Sequence, residues 1–203
     1  MMKIAIDVNG VLRDTIGKLK QVYEKFLIEK NEDVEEIVDD FKYEITEPID
    51  SLDISKFFKF KSKEEQFEFL YEEFPMHIFG HAGSTEMTSF NDLNDFYIEH
   101  RDGNELTIIS DEIGKSKPAT LFFLSKFGCQ IERVLFFNSF TSDEILSSFD
   151  LIVTSNPNIL INYPNKVIKF ETEYNVEINS GYSITSLKEL SNKIKEINAE
   201  TFQ

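Results

Sequence analysis

The 203 residues carry 37 acidic side chains against 21 basic ones, a formal net charge of −16, with 41 % hydrophobic residues, heavy use of Phe and little Gly or Pro. That composition excludes wholesale disorder and allows a real core, built as one domain with a sizeable insertion or as two small ones. The negative field, with no Lys/Arg stripe to offset it, disfavours nucleic acid as a partner; the lone Cys129 excludes an internal disulfide, and with no apolar run of about 18 residues and no charged-then-apolar leader the expected setting is soluble, reducing, away from membranes and cytoplasmic.

The first element is KIAIDV (Lys3 to Val8), a short apolar run rich in β-branched residues, and Asn9-Gly10 behind it is a turn signal. A core strand therefore ends at a loop and delivers Asp7 to it. From Thr15 to about Lys30, Ile16, Leu19, Val22, Tyr23, Phe26 and Leu27 recur at helical spacing, opposite a Lys and Glu face. Residues 31 to about 100 alternate acidic and aromatic stretches. EDVEEIVDDF reads as one helix, and SKEEQFEFLYEEF, with Ser62 and Glu65 set as a capping box, as a second that Pro75 closes. GHAGS is a loop, and a third helix runs from about Asn91 to a stop at Gly103. Together they make a mostly helical insert, whose aromatic stripe from Phe57 to Phe74 is read as its own core rather than as a platform for stacking bases.

The second half turns regular. ELTIIS (Glu105 to Ser110) is a strand, KPATLFFLSKFG (Lys117 to Gly128) a helix with Pro118 in its first turn and Gly128 as its cap, and RVLFF (Arg133 to Phe137) another strand. A short helix at SDEILSSF, strands at DLIVTS and KVIKF, and a C-terminal helix from near Ser186 complete the pattern. Strands alternating with helices mean a parallel sheet, and such sheets bind ligands beyond the carboxyl ends of their strands. The residues at those ends are Asp7, Asn9, Ser110 and the Thr154-Ser155 pair.

IAIDVNGVLRDT, LTIIS and KPATLFFLSKFG, in this order and spacing, resemble the three opening motifs of the haloacid dehalogenase superfamily: an apolar strand running into an Asp-x-Asp-Gly turn, a strand ending in Ser or Thr, and a Lys at the start of a helix. The resemblance covers nearly the whole chain and looks closest to the 5'-nucleotidase branch. It implies an α/β fold with a Rossmann-like three-layer parallel sheet, a core domain of residues 1–15 and 101–203, and a helical cap inserted as residues 16–100. It places Asp7 at the nucleophile position, Asn9 where the family usually has a second aspartate, and Ser110 and Lys117 on the phosphate.

The chemistry of these positions can be argued residue by residue. A strand-end carboxylate attacks phosphorus when a divalent metal offsets the repulsion between two anions. The Ser110 hydroxyl suits a phosphate oxygen, and Lys117 supplies a cation to the same group. Asn9, an amide, cannot protonate a leaving alkoxide or deprotonate a water, and loss of a well-placed acid/base lowers a rate by about 10² to 10⁴. In the family's fourth motif two acids precede a basic residue and Pro to hold magnesium; aligning DLIVTSNPN on Pro157 leaves Thr154 and Ser155 in their place. Magnesium takes carboxylate oxygens by preference, so any metal site would draw on Asp7 with Asp111, the acid next to Ser110. Asp143, Glu144 and Asp150 are more distant substitutes. His77, His81 and His100 are too few and too irregular for zinc, with Pro75 and Gly80 set against a shared face for the first two, and Cys129 is read as a small buried apolar residue.

Two readings follow. In the favoured one the catalytic set has decayed and the chain, without cofactor, serves a binding or structural role among other proteins of a larger assembly; the Lys, Asn, Ile and Phe richness looks like AT-rich coding bias and is the hint of a phage-type assembly, hence of a virion location. In the alternative, Asp7 is the nucleophile of a Mg²⁺-dependent phosphomonoesterase or 5'-nucleotidase acting on a small phosphorylated ligand. A carbon-halogen hydrolase without metal is a third, minor one.

Overall fold

In each strand of the computed structural model, which describes residues 1–31 and 49–201, side-chain alternation decides the layers. Six strands, β1 (Met2–Asp7), β2 (Asn104–Asp111), β3 (Val134–Phe137), β4 (Leu151–Thr154), β5 (Val167–Phe170) and β6 (Tyr182–Ile184), form one sheet in the order β3-β2-β1-β4-β5-β6, all neighbours parallel. Ile4, Ile6, Ile108, Val153 and Ile168 point to one face, where they pack with helices α3 (Ser89–His100), α4 (Ser116–Lys126) and α7 (Leu190–Thr201). Ala5, Ile109, Ile152 and Val167 point to the other, under α5 (Ser142–Ser147) and α6 (Pro157–Asn162). The layering is thus helix, sheet, helix, as such parallel sheets require with both faces covered.

A second cluster lies over the carboxyl ends of the strands. Leu19, Val22, Tyr23 and Phe26 of α1 (Thr15–Asn31) pack with Phe58, Phe69, Leu70, Ile78 and Phe79, and Ala119 of α4 joins them from the core. Phe58 and Phe69 are fully buried, and Tyr23 meets Phe58, Phe60 and Phe69 edge-on. The aromatic stripe is therefore cap interior, and geometries of this kind add about 0.5–1.5 kcal/mol per pair beyond burial. The Tyr23 hydroxyl pins the loop at Lys59, donating to its carbonyl (2.8 Å) and accepting from its amide (2.7 Å).

Several elements differ from the sequence reading. Ser62 does cap α2 (Lys63–Phe67), accepting from the Glu65 amide at 3.1 Å, but the Glu65 carboxylate turns to Lys30 and the Lys61 amide, so only one arm of the capping box forms. After α2 the helix widens into π-type turns at Glu68–Glu73 and Met76–Gly80; Pro75 opens the second of them as well as closing the first. This widening brings the His77 and His81 rings within 6.2 Å, where Pro75 and Gly80 had argued against a shared face. Helix α6 and strand β6 were missed, being only 6 and 3 residues long. The helix expected over EDVEEIVDDF lies outside the described residues. Within the stretch expected as cap, Phe90, Leu93 and Phe96 of α3 pack in the sheet's own core.

Candidate functional site

Register brings three strand tips side by side. β1 is central, and Asp7 pairs in register with Ile109 of β2 while Ile6 pairs with Val153 of β4, so Asp7, Ser110 and Thr154 converge. Asp7 is 2 % exposed. Its Oδ2 accepts from the Thr154 hydroxyl (2.7 Å) and its Oδ1 from the Asn9 amide (3.2 Å). Burial pushes its carboxyl up to about 7, against the pull of those two hydrogen bonds; nearby Asp111 raises it further and Arg13 lowers it.

The turn after β1 is drawn tight over this carboxylate. Gly10 has φ +72°, and a Cβ there would lie 2.0 Å from the Tyr174 hydroxyl and 2.2 Å from Ser155 Oγ. Ser155 Oγ donates to the Asn9 carbonyl (3.1 Å) and bonds the Tyr174 hydroxyl (2.9 Å), closing the roof. Gly10→Ala meets both a left-handed backbone, about 1–2 kcal/mol for an L residue, and two blocked contacts. We expect it to lower stability by about 2 kcal/mol or more and Tm by about 4 °C or more, checked by thermal unfolding.

Behind the turn sits a residue that the motif reading passed over. Arg13 is completely buried, its guanidinium between the rings of Phe79 and Phe123 at 5.1 and 5.3 Å. All five of its N–H groups find acceptors: Nε donates to Thr15 (3.1 Å), Nη1 to the Phe79 carbonyl (3.0 Å) and Thr120 (2.5 Å), and Nη2 to Asn9 Oδ1 (2.7 Å) and to Glu112 in a buried ion pair. Glu112 also accepts from the hydroxyls of Ser110 (3.1 Å) and Thr120 (2.5 Å). Asn9 completes the ring, accepting from Thr15 (2.7 Å) and donating to Ser110 (3.2 Å). An internal carboxylate therefore occupies the hydroxyl of Ser110 and, among the described residues, the one cation acting on Asp7.

The expected set is only partly assembled. Asp7, Asn9, Ser110, Thr154 and Ser155 come together. Lys117 does not join them: its Nζ lies 5.8 Å from the Phe136 ring and makes no hydrogen bond or ion pair among the described residues. Asp111 ends β2 exposed, its carboxyl raised by partial desolvation and by Glu112 beside it. Asp143 accepts from Tyr163 (2.8 Å), and Asp150 accepts from the Lys3 amide (2.8 Å) at the far end of the sheet. Cys129 is half-buried against the main core, its thiol pushed up by burial.

The residues present do not fit the magnesium ion that the resemblance implies beside Asp7 and Asp111. Among the described residues no three His, Cys, Asp or Glu side chains cluster to hold a metal. Both Asp7 oxygens already accept from protein donors, and Thr154 and Ser155 spend their protons on Asp7 and on the Asn9 carbonyl.

Sequence reasoning missed Arg13, Glu112, Thr120 and Tyr174. The available signal was a basic residue three places after the turn glycine and an acid directly behind Ser110-Asp111. Their pairing is a long-range fact of the fold.

Above the turn a cleft of about 280 Å³ separates the cap from the strand tips, bordered by Asn9 and Gly10 but not by Asp7. Among the described residues no helix is long and apolar enough to cross a membrane. No family profile matches the chain, and no curated protein matches it by sequence. Among solved structures, a protein assigned as a haloacid dehalogenase-like hydrolase of Burkholderia xenovorans LB400 superposes with a TM-score of 0.56 over 96 % of each chain at 13 % identity. A protein assigned as a beta-phosphoglucomutase of Thermotoga maritima gives 0.49 over 97 % of this chain and 100 % of its own at 14 % identity, too low a score to bear on the fold. With the parallel sheet, the cap over its carboxyl ends and Asp7 at the tip of β1, the chain has the haloacid dehalogenase-like fold.

Proposed function

We propose that this haloacid dehalogenase-fold chain does not turn over phosphate esters and acts as a binding or structural protein. The observation that carries the reading is Glu112. Its carboxylate takes the Ser110 hydroxyl, the Thr120 hydroxyl and the Arg13 guanidinium, so the donors nearest Asp7 that suit a phosphoryl group are already satisfied by the protein's own anion. Lys117 is directed to Phe136 instead. A larger assembly, phage-type or other, enters the proposal only through the compositional bias noted above, and the net charge of −16 suits a basic protein as partner.

The test is hydrolysis of p-nitrophenyl phosphate and of nucleoside monophosphates with magnesium present. The wild-type protein should be no faster than Asp7→Asn; turnover abolished by that substitution overturns the reading. Asn9→Asp should not create turnover, because the side chain at position 9 is clamped by Arg13 and Thr15 and donates to Ser110.

One observation favours the alternative, a magnesium-dependent phosphomonoesterase with Asp7 as nucleophile. A carboxylate buried at a strand tip and held at about 7 is costly, and such groups are concentrated where chemistry is done. In that reading Tyr174 and the Gly10 turn have to move aside to admit substrate.

A further inference from the structure

We propose that the cleft between cap and strand tips binds a small organic cation with an apolar body, of the alkylamine or arylalkylamine class. The inference rests on the reading above in one respect, that this end of the sheet is not built for a phosphate ester.

The lining divides by chemistry. On the cap side the wall is apolar, with Ile16, Leu19, Leu70 and Ile78; on the sheet side it offers hydroxyls and amides. Its volume, about 280 Å³, is near the lower end of the ~300–1,000 Å³ usual for small-molecule sites. Among the described residues no Lys, Arg or His lines it, and the one formally charged lining residue is Asp111. Among the described lining residues an anion entering here meets a carboxylate and no cation.

Asp111 is also the acceptor left over. Glu112 and Asp7 already accept from protein donors on both oxygens, whereas the Asp111 carboxylate makes no hydrogen bond or ion pair among the described residues. It stands where the cleft joins a neighbouring one of about 200 Å³, whose own acid, Asp143, already accepts from Tyr163. The side-chain amide of Asn158, exposed and likewise without a hydrogen bond among the described residues, borders both clefts. Asp7, Asp111 and Glu112 lie together at this end of the sheet, and Arg13, the cation beside them among the described residues, is fully engaged by its own acceptors. The local field is negative, and an ammonium group between Asp111 and Asn158 gains from it while its apolar body lies against the cap.

Four probes test this on the full chain by amide-resolved NMR titration and calorimetry: phenethylamine, 2-phenylethanol, phenyl phosphate and Mg²⁺ alone. Phenethylamine should saturate shifts at Asp111, Asn156 and Asn158, and should bind at least about tenfold more tightly than the alcohol, with phenyl phosphate weaker still. Asp111→Asn, at an exposed position, should abolish that preference for the amine, and Ile16→Phe, which fills the apolar wall, should weaken amine and alcohol alike. Equal binding of amine, alcohol and anion, displacement of the amine by Mg²⁺, unchanged amine affinity in Asp111→Asn, or no saturable shift with any probe overturns the proposal. Failure here is separable from failure of the preceding reading: Asp7-dependent hydrolysis overturns only that one, and loss of selectivity for the amine in a protein without turnover overturns only this one.

Discussion

Asp7→Asn should raise the stability of the protein at pH 8 by about 2–4 kcal/mol and should remove most of a stability loss that the wild-type chain shows between about pH 4 and pH 7. Folding lifts the Asp7 carboxyl from its ordinary 3.8 to about 7, chiefly by burial. A group raised in this way binds its proton more tightly in the folded state, so the stabilisation it confers is complete below the unfolded pKa and is lost as pH rises through the folded one. About three pKa units at about 1.4 kcal/mol each set an upper limit near 4 kcal/mol. The amide is close in shape to the protonated acid: its oxygen still accepts from the Asn9 amide, and its nitrogen faces Thr154 Oγ1, which also accepts from the Asn156 amide. The unsatisfied Thr154 proton then takes back part of the gain, which is why the lower end of the range is included. Urea unfolding of both proteins at intervals from pH 4 to 8.5 measures it; the difference between them isolates Asp7 from every other titrating group. A difference that stays flat with pH, or a variant less stable than the parent at pH 8, would show that the buried carboxylate is not strained by its surroundings.

The second large effect lies at Arg13. Arg13→Met should destabilise the fold by about 3–5 kcal/mol, because Glu112 is left as an uncompensated charge at zero exposure and Asn9, Phe79 and Thr120 lose their donor. The double variant Arg13→Met, Glu112→Leu should recover at least about 2 kcal/mol of that loss, since a buried ion pair replaced on both sides by apolar groups is often close to neutral. A double-mutant cycle on urea midpoints reads the coupling directly. Additive losses would mean that the two side chains act independently and that the ring around Asn9, not the pair, holds the turn in place.

How much of this was legible in the sequence depends on the range over which each feature is decided. The strands at Lys3 to Val8 and Glu105 to Ser110, and the helix from Thr15, are written in local periodicity, and they arrive in the structure within a residue or two. Convergence of Asp7, Asn9, Ser110 and Thr154 follows from parallel topology, so those positions could be named in advance. The widened turns at Glu68–Glu73 and Met76–Gly80 could not, because a π-type turn has no distinct apolar period and is selected by the packing of Phe69, Leu70 and Ile78. Nor could the exchange of Lys117 for Arg13. A Lys opening a helix and an Arg behind a turn look alike as charges; which one reaches the sheet tip depends on Phe79 and Phe123 making a slot for a planar cation, residues 66 and 110 positions away along the chain.

That slot bears on how the molecule assembles. The partners of Arg13 come from the first loop, the cap at Phe79 and the start of α4, so its five donors are satisfied together only when segments separated by 66 to 107 positions have met. Five directional hydrogen bonds from three such segments need the finished packing around them, so we expect the ring to close after the sheet has paired. On that expectation the guanidinium is a late latch: it should hardly speed the search for the native topology, and should chiefly slow the rate at which the finished protein comes apart.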